Sequence, residues 1–540
     1  MQRAETASSQ MRTFISDYER EMEPLAKQAA LAHWQLQLQS SVHNQQAAAE
    51  AAALVRMVLA DKAKWNLLRN IDANALEDTT LLRQHTLLAT SFRINQLEAD
   101  EIAEMEELRS SLSARYNMHR AKMNGEECSD NHLDEILANS QDSLERQRAW
   151  EASKTVGEVA EEQLLDLVRL RNRCAVKLGY RNYYEMALDA QEIRQEELSA
   201  VLKDLEDGCR PLWVRFRNGL DAKLAAQFAV SPSELMPWHH SNRFFQTVKQ
   251  SDINLDEVYT HTDAVETTRT VFQAMGLPVD DLLARADLYE RVGKCQHAFC
   301  LNVDRKGDIR VLCNITPGER WLTTTLHEFG HAVYDKFIKI DLPYVLRRPS
   351  HAITTEAVAL FMGRLPSTSK FMATFSGRSE PECSVLASRA EHGQLTHQLV
   401  FLHWCMVMTH FERELYSNPG QDLNNLWWDL VEHYQRIKRP PHRNKPDWAA
   451  KIHFASSPVY YHSYLLGEMA ASQITRSAVQ LTSSSVRNLE ISPAVGNYLQ
   501  TKLFNSGATL RWDRWVAEAT GSPLSAASFV NDLHAIEGTR

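Results

Sequence analysis

The chain has 540 residues, of which 59 are lysine or arginine and 69 are aspartate or glutamate, so its formal net charge is −10. This acidic balance argues against nucleic acid as the main partner, because phosphate binding needs a dominant basic face. With 19 glycines and 17 prolines, the residues that favour turns are scarce. The composition therefore indicates long elements and a mostly α-helical protein, and it disfavours β-sandwiches, barrels and propellers.

The first residues contain no apolar stretch of the kind found in secretory signals, and no run of 18 or more apolar residues occurs. The eight cysteines are too dilute for a disulfide scaffold. We therefore expect a cytoplasmic protein without a membrane span. A secreted or periplasmic chain whose signal has been removed is the alternative.

Hydrophobic spacing predicts long amphipathic helices over the first 120 residues, with Phe14, Ile15 and Tyr18 on one face. Two short β-prone runs, 298–303 and 309–314, flank a polar loop that contains Gly307 and predict a β-hairpin. Polar or proline-containing breaks are expected at 124–131, 230–242, 365–381 and 436–447. The last break carries a cluster of basic residues, which we interpret as a solvated loop rather than a polyanion site.

Residues 327–331 read His-Glu-Phe-Gly-His in a stretch with helical spacing that begins at Trp321. On a helix, positions i and i+4 lie about 5–6 Å apart on one face, so both imidazoles can reach one zinc ion. The carboxylate of Glu328 would then lie beside the metal, where it can act on a water molecule. Gly330 is a poor helix former, and its place predicts close packing against a neighbouring element.

A short His-Glu-x-x-His pattern also arises by chance, so the metal hypothesis needs a third ligand. Residues 354–361 resemble the start of a second helix, with Glu356 in its first turn and 25 residues beyond His331. Two histidines, one glutamate and an open position are typical of a catalytic zinc site. The alternative is that Glu356 is simply an acid at the amino end of a helix.

With these motifs in place, the chain resembles helical zinc peptidases of the angiotensin-converting enzyme family, with features of the thimet oligopeptidase family. Segment 14–34 is similar to the first helix of the former family, 425–435 to its Trp-Trp segment, and 449–464 to its substrate-carboxylate and tyrosine segment. The sequence His-Glu-Phe-Gly-His-Ala is closer to the thimet type.

The resemblance implies one helical gluzincin-type peptidase domain over residues 1–540. It would have two lobes, a deep central channel and a small β-sheet beside the zinc helix. Residues 1–120 would be lid helices, and residues 295–470 would be the catalytic core segment.

The resemblance also assigns roles to individual residues. His327, His331 and Glu356 match the zinc ligands and Glu328 the general base, while Tyr464 matches a tyrosine that donates to the oxyanion. The residues implied in substrate binding are His297, Ala298, Lys451, His453, Tyr461 and His462.

Physical arguments support these roles separately. A phenol can stabilise the negative oxygen that peptide hydrolysis develops. A Lys-x-His pair can bind a carboxylate, and a hairpin edge can pair with an extended peptide. The alternative for the tyrosines is ordinary core packing.

The chain departs from the angiotensin-converting enzyme pattern at several positions. Leu360 replaces an aspartate that helps to orient a zinc histidine, so another group must do this. Val431 replaces one chloride-binding arginine, and His462 or Ser463 stands in place of the second, so chloride activation is not expected. The family's disulfide site implies that Cys295 or Cys300 pairs with Cys313.

We therefore expect one zinc ion per chain and a monomer that hydrolyses short peptides, releasing C-terminal dipeptides. One alternative is an oligopeptide endopeptidase of the thimet type. A second is an inactive helical protein that only binds peptides.

Overall fold

In a computed structural model that describes residues 2–248 and 254–536, the chain is mostly α-helical, as predicted. As far as residue 283, its α-helices are α1 (Gln2–Leu38), α2 (Val42–Ala60), α3 (Lys62–Arg69), α4 (Thr79–Ile94), α5 (Ala99–Met118), α6 (Asp130–Asn139), α7 (Ser143–Lys177), α8 (Tyr183–Ala190), α9 (Gln195–Phe228), α10 (Leu255–Tyr259), α11 (Ala264–Ala274) and α12 (Asp280–Leu283).

From residue 319 onwards the α-helices are α13 (Glu319–Phe337), α14 (Ala352–Gly363), α15 (Ser369–Phe375), α16 (Glu380–Ser417), α17 (Leu423–Leu430), α18 (His453–Ser456), α19 (Tyr461–Thr482), α20 (Pro493–Tyr498), α21 (Trp512–Thr520) and α22 (Ala526–His534). The strands form two antiparallel pairs: β1 (Ala121–Met123) with β2 (Glu126–Cys128), and β3 (Phe299–Asn302) with β4 (Ile309–Leu312).

The described residues fall into two compact units. The first contains residues 2–96, 254–391 and 466–529, and the second contains residues 97–248, 392–465 and 530–536. A single domain with amino-terminal lid helices and a central channel stays a prediction from the sequence.

In the first unit, the amino-terminal helices bury the apolar face that the sequence predicts. Phe14 and Ile15 of α1 are buried in a cluster with Phe92 of α4, and the rings of Phe14 and Phe92 meet edge to face with centroids 5.8 Å apart. Tyr18 packs half-buried against the same cluster. Burial of this stripe fixes α1 against α4, because removing apolar surface from water is the main favourable term in helix packing.

The predicted hairpin is present in the first unit as β3 and β4, with Phe299 opposite Leu312. In its loop, the carboxylate of Asp304 accepts hydrogen bonds from the backbone N–H groups of Lys306 and Asp308. Gly307 has a φ of +117°, a backbone conformation that a side chain would disfavour.

The second unit contains a hairpin that overlaps the predicted irregular break at 124–131. Asn124 and Gly125 connect β1 to β2 and both have positive φ, 55° and 87°. Asn-Gly is the sequence that favours this two-residue turn. The break predicted at 365–381 is also more regular than expected, because it includes α15.

The basic segment at 436–447 is an irregular loop, and several of its cations form ion pairs. Arg443 lies 2.6 Å from Asp447, Lys445 lies 2.7 Å from Glu158, and Arg439 pairs with Asp429. These pairs neutralise part of the positive charge of the loop, which weighs against a polyanion site, although the pair of Arg443 and Asp447 is buried rather than solvated.

The three cysteines for which the resemblance implied a disulfide, Cys295, Cys300 and Cys313, are free thiols in this structure, so that expectation is wrong here. Among the described helices, none is both long enough and apolar enough to cross a membrane.

His403 of α16 is a buried, uncharged histidine in the second unit. Its ring stacks on Trp213 with centroids 3.8 Å apart, and its Nδ1 bonds the carbonyl of Leu399 at 2.8 Å. Burial lowers its pKa to about 3, below the usual value of about 6.5 in an unfolded chain. The unfolded state therefore binds more protons than the folded state between these two pH values, and stability falls as the pH falls through this window.

We predict that His403→Phe, which keeps a stacked ring but cannot titrate, removes part of this acid sensitivity. Between pH 7.5 and pH 5.5, one such histidine accounts for about 1.4 kcal/mol of lost unfolding free energy. Urea denaturation of the metal-free wild type and variant at both pH values measures the difference. Equal losses in the two proteins would contradict the prediction.

Candidate active site

Helices α13 and α14 of the first unit pack closely at Gly330. A Cβ atom placed on Gly330 would lie 3.0 Å from the Cα of Ala359 and 3.2 Å from the side chain of Met362. The close packing predicted for this glycine is therefore confirmed. Since His327 and His331 lie on either side of Gly330 in the sequence, the same contact brings both histidines towards α14.

The two histidines and Glu356 come together at this contact. The rings of His327 and His331 have centroids 4.9 Å apart. The carboxylate oxygens of Glu356 lie 3.7 Å from Nε2 of His327 and 3.9 Å from Nε2 of His331. Candidate ligand atoms of the three residues all lie within 4.8 Å of one another.

This spacing fits a zinc ion. Tetrahedral zinc with bonds of about 2.0–2.1 Å separates its ligand atoms by roughly 3.4 Å, so small side-chain adjustments suffice for all three residues to bind. Two imidazoles and one carboxylate are also a common donor set for catalytic zinc, and the set leaves one position open.

The position of Glu356 on its helix differs from the expectation. Helix α14 begins at Ala352, so Glu356 lies in its second turn rather than its first. The cap is His351, whose Nδ1 accepts a hydrogen bond of 3.0 Å from the N–H of Ile353. Glu356 is therefore not the helix-terminal acid that the alternative interpretation required.

The groups that orient the histidines differ from those in the family pattern. Nδ1 of His331 lies 2.7 Å from the hydroxyl oxygen of Thr355, and the backbone of Ala359 forms a hydrogen bond with His327. Such contacts fix the ring and leave Nε2 for the metal. These contacts can orient the histidines, which the apolar side chain of Leu360 cannot do. Thr355 was not identified from the sequence. The one feature that could have indicated its role is that it carries a hydroxyl group and immediately precedes the candidate ligand Glu356.

Burial controls the protonation of the cluster in the metal-free chain. It lowers the pKa of His327 to about 4 and that of His331 to about 3, so both imidazoles are neutral and able to bind a metal. Burial and the charge of Glu468 raise the pKa of Glu356 to about 7. A bound cation would offset this desolvation of the carboxylate.

Glu328 lies between the two histidines in the sequence of α13 and is 8% exposed. Burial, together with the charge of Glu356, raises its pKa to about 8. A carboxyl group with a pKa near neutrality can both accept and donate a proton at the pH of most cells, which suits a general acid and base.

The small β-sheet lies beside α13 in the first unit. The side-chain amide of Asn302, at the end of β3, donates a hydrogen bond of 3.1 Å to Asp335 of α13. Ala298 immediately precedes β3 rather than lying in it, and His297 is exposed. A side-chain hydrogen bond therefore links β3, the strand that would contact an extended substrate, to α13, the helix that carries the histidines.

The other predicted substrate-binding residues lie in the second unit. Lys451 is 9% exposed, and its Nζ donates a hydrogen bond of 2.9 Å to Oε1 of Gln246. It also lies 5.3 Å from the ring centroid of Phe244 and 5.2 Å from that of Trp404. Within the described part of the chain, no carboxylate pairs with this ammonium group. Burial lowers its pKa to about 8.

A cavity of about 340 Å³ opens beside Lys451 and is also lined by His453, Gln246 and Arg243. In this part of the structure, Nδ1 of His453 is buried without a hydrogen-bond partner. Asp130 and Asp134 line the same cavity and form ion pairs with Arg243, at 3.0 and 2.6 Å. Lys451 and His453 are therefore the donors in this cavity that could bind an anionic group. Gln246, about 200 residues from Lys451 in the sequence, was not identified by the sequence analysis.

The tyrosines on α19 differ in exposure. Tyr461 is 4% exposed and packs edge to face on Trp404, whereas Tyr464 is 37% exposed. Their ring centroids lie 5.6 Å apart. His462 is 1% exposed, with Nε2 at 3.1 Å from Oε1 of Gln191. That placement favours a structural role for His462 over the substrate contact that the resemblance implied.

Two protein families match this chain. Residues 136–534, well over half of the chain, match peptidase family M3, and residues 5–240 match angiotensin-converting enzyme. The first match includes the His327, His331 and Glu356 cluster and the tyrosines of α19. The second covers the amino-terminal helices and ends before the hairpin of the first unit.

We predict that Gly330→Ala weakens zinc binding by roughly tenfold or more, because forcing a methyl group into a filled contact typically costs about 1–3 kcal/mol. Chelator competition with the purified protein measures the affinity. Gly363→Ala is the matched control, since its added Cβ would meet His327 at 3.5 Å, an ordinary contact distance. Wild-type zinc affinity in Gly330→Ala would contradict the account of this helix contact.

Proposed function

The chain belongs to peptidase family M3, and we propose that it releases dipeptides from the C-terminal ends of short peptides. It is a metallopeptidase, and its family matches support zinc as the metal and peptides as the substrates. The exopeptidase part of the proposal rests on one observation, the buried and positively charged Lys451 beside a cavity.

Lys451 has an amide partner and no carboxylate partner among the described residues. Burying an ammonium group without a counter-charge is costly. The terminal carboxylate of a peptide would supply that counter-charge and form charge-assisted hydrogen bonds with Lys451 and His453. An enzyme that holds the terminal carboxylate in one place cleaves a fixed number of residues from the chain end.

We assign the following roles in the reaction. His327, His331 and Glu356 would hold the zinc ion, which supplies a Lewis acid that polarises a carbonyl group and acidifies water. Glu328 would accept the proton of the attacking water and then deliver it to the leaving amine. Tyr464 would donate a hydrogen bond from its hydroxyl to the carbonyl oxygen as that oxygen gains negative charge.

The edge formed by His297, Ala298 and β3 would pair with the substrate backbone, and Tyr461 would contact the substrate near its C-terminus. The buried, apolar Val431 supports a reaction without chloride activation. A monomeric state and a cytoplasmic location are further parts of the proposal, and they rest on the sequence alone.

Cleavage inside longer oligopeptides is the alternative activity. It is favoured by the match to peptidase family M3, which covers the whole segment with the metal cluster, and by the thimet-like His-Glu-Phe-Gly-His-Ala sequence. The two activities differ in whether they need a free C-terminal carboxylate.

We predict that Glu328→Gln lowers kcat by roughly 10²–10⁴-fold, because it removes the proton acceptor, and leaves one zinc ion bound. Peptide hydrolysis and elemental analysis of the purified variant measure both quantities. Glu319→Gln, at the start of the same helix, is the matched control and should retain wild-type activity. Full activity in Glu328→Gln would exclude Glu328 as the general base. Wild-type protein with neither zinc nor turnover would favour a protein that only binds peptides.

We predict that amidating the C-terminus of a peptide substrate lowers kcat/KM by roughly 30-fold or more, since a lost contact with a buried charge is worth about 2–5 kcal/mol. Lys451→Met should lose the preference for the free carboxylate. Lys445→Met, in the loop that precedes Lys451, should keep it. Equal rates for free and amidated peptides in the wild type would reject the exopeptidase and favour the endopeptidase.

A further inference from the structure

The segment that leads into α19 contains a residue in an unfavourable backbone conformation. Val459 has a φ of +54° and is 1% exposed. A β-branched residue rarely adopts the left-handed region, because its side chain crowds the backbone. Such conformations persist where the surroundings hold them, and they are frequent near functional sites. Val459 is followed by Tyr461 and Tyr464.

Two side chains from other helical segments bind the backbone of Val459. The carboxylate of Glu412, from α16, accepts its N–H at 2.8 Å, and Nε2 of Gln191, directly after α8, donates to its carbonyl at 3.0 Å. Glu412 is 2% exposed, so its hydrogen bond to the Val459 N–H is shielded from water inside the second unit. Both polar backbone groups of Val459 are thus bound by side chains.

Gln191 also contacts the first turn of α19. Its Oε1 lies 3.1 Å from Nε2 of His462 and accepts a hydrogen bond of 3.4 Å from the hydroxyl of Ser463. One amide group therefore ties the Val459 turn to the two residues that lie between Tyr461 and Tyr464. Because consecutive residues of a helix share one rigid backbone, fixing this turn also fixes the direction of both tyrosines.

Helix α16 supports the tyrosine rings directly as well as through Glu412. Phe401 of α16 meets the ring of Tyr464 with centroids 5.7 Å apart, and Trp404 meets that of Tyr461 at 6.0 Å. Glu412, Phe401 and Trp404 thus place one helix against both the turn and the rings that follow it.

We propose that Gln191 and Glu412 are positioning residues for Tyr464, acting by holding the Val459 turn and the first turn of α19. This inference rests on the proposed function, in which Tyr464 donates to the oxyanion. Neither residue needs to touch the substrate. Their contribution is to keep the phenol in one orientation, since a displacement of about 1 Å at a reacting group can cost on the order of 10²-fold in rate.

A double-mutant cycle on kcat tests the proposal. Gln191→Ala should lower kcat by roughly 10–100-fold when Tyr464 is present and by less than about threefold in the Tyr464→Phe background, because residues that act through one group are not additive. KM for a short peptide should change less than kcat, since oxyanion donation acts in the transition state. A role in stability alone would lower kcat equally in both backgrounds.

Gln84→Ala is the matched control, because Gln84 is a buried glutamine whose Nε2 bonds a carbonyl of its own helix, α4. It should leave kcat unchanged in both backgrounds.

Glu412 is tested by two substitutions. Glu412→Gln keeps an acceptor for the Val459 N–H and should retain kcat within about threefold. Glu412→Met removes that acceptor and should show the same coupling to Tyr464 as Gln191→Ala. If Gln191→Ala does not fold, Gln191→Glu, which keeps only the acceptor, replaces it in the cycle.

The outcomes separate this proposal from the function on which it rests. Wild-type kcat in Tyr464→Phe would remove the oxyanion role of the tyrosine and this inference with it. A large loss in Tyr464→Phe combined with equal losses from Gln191→Ala in both backgrounds would overturn the inference alone. Wild-type kcat in both Gln191→Ala and Glu412→Met would overturn it as well.

Discussion

At Gly330, helices α13 and α14 approach so closely that a methyl group would lie 3.0 Å from the Cα of Ala359. A glycine inside a helix costs about 1 kcal/mol relative to alanine, and the shared packing of the two helices offsets this loss. The contact places two histidines of one helix against the carboxylate of the next. The candidate metal cluster and the contact between His331 and Thr355 both depend on this approach.

The two groups of functional residues have opposite electrostatic requirements. In the first unit, Glu328 and Glu356 are desolvated acids with raised pKa values, and a zinc ion supplies the positive charge that such acids favour. In the second unit, Lys451 is a desolvated cation with a neutral partner, and the carboxylate of a bound peptide would supply the negative charge. The net charge of −10 describes neither environment, because both depend on local burial.

Much of this arrangement follows from short-range sequence patterns. Histidines at i and i+4, a glycine between them and a polar loop between β-prone runs each predict one local feature, and the structure contains the close helix packing and the hairpin. The carboxylate of Glu356 could be proposed as a ligand from its distance along the chain. Its place in the second turn of α14 could not, because the helix is capped by His351, and histidine is not a usual capping residue.

The contacts that sequence reasoning missed join residues far apart in the chain. Gln191 and His462 are 271 positions apart, and Gln246 and Lys451 are 205 apart. No local periodicity encodes such pairs, since they depend on how distant helices pack. Leu360 gives a second example, because it stands where the resembled family has an aspartate that orients a zinc histidine. Thr355 and the backbone of Ala359 contact the histidines instead, and only the packing of α13 against α14 brings them together.

The most direct test of the account is the location of the metal. Crystals of the zinc-loaded protein, measured on both sides of the zinc absorption edge, would show each zinc ion as an anomalous peak. We predict one strong peak, from a zinc ion about 2.0–2.1 Å from Nε2 of His327 and of His331 that is bound also by Glu356. A peak held by cysteine sulfur, or by residues outside this cluster, would contradict it.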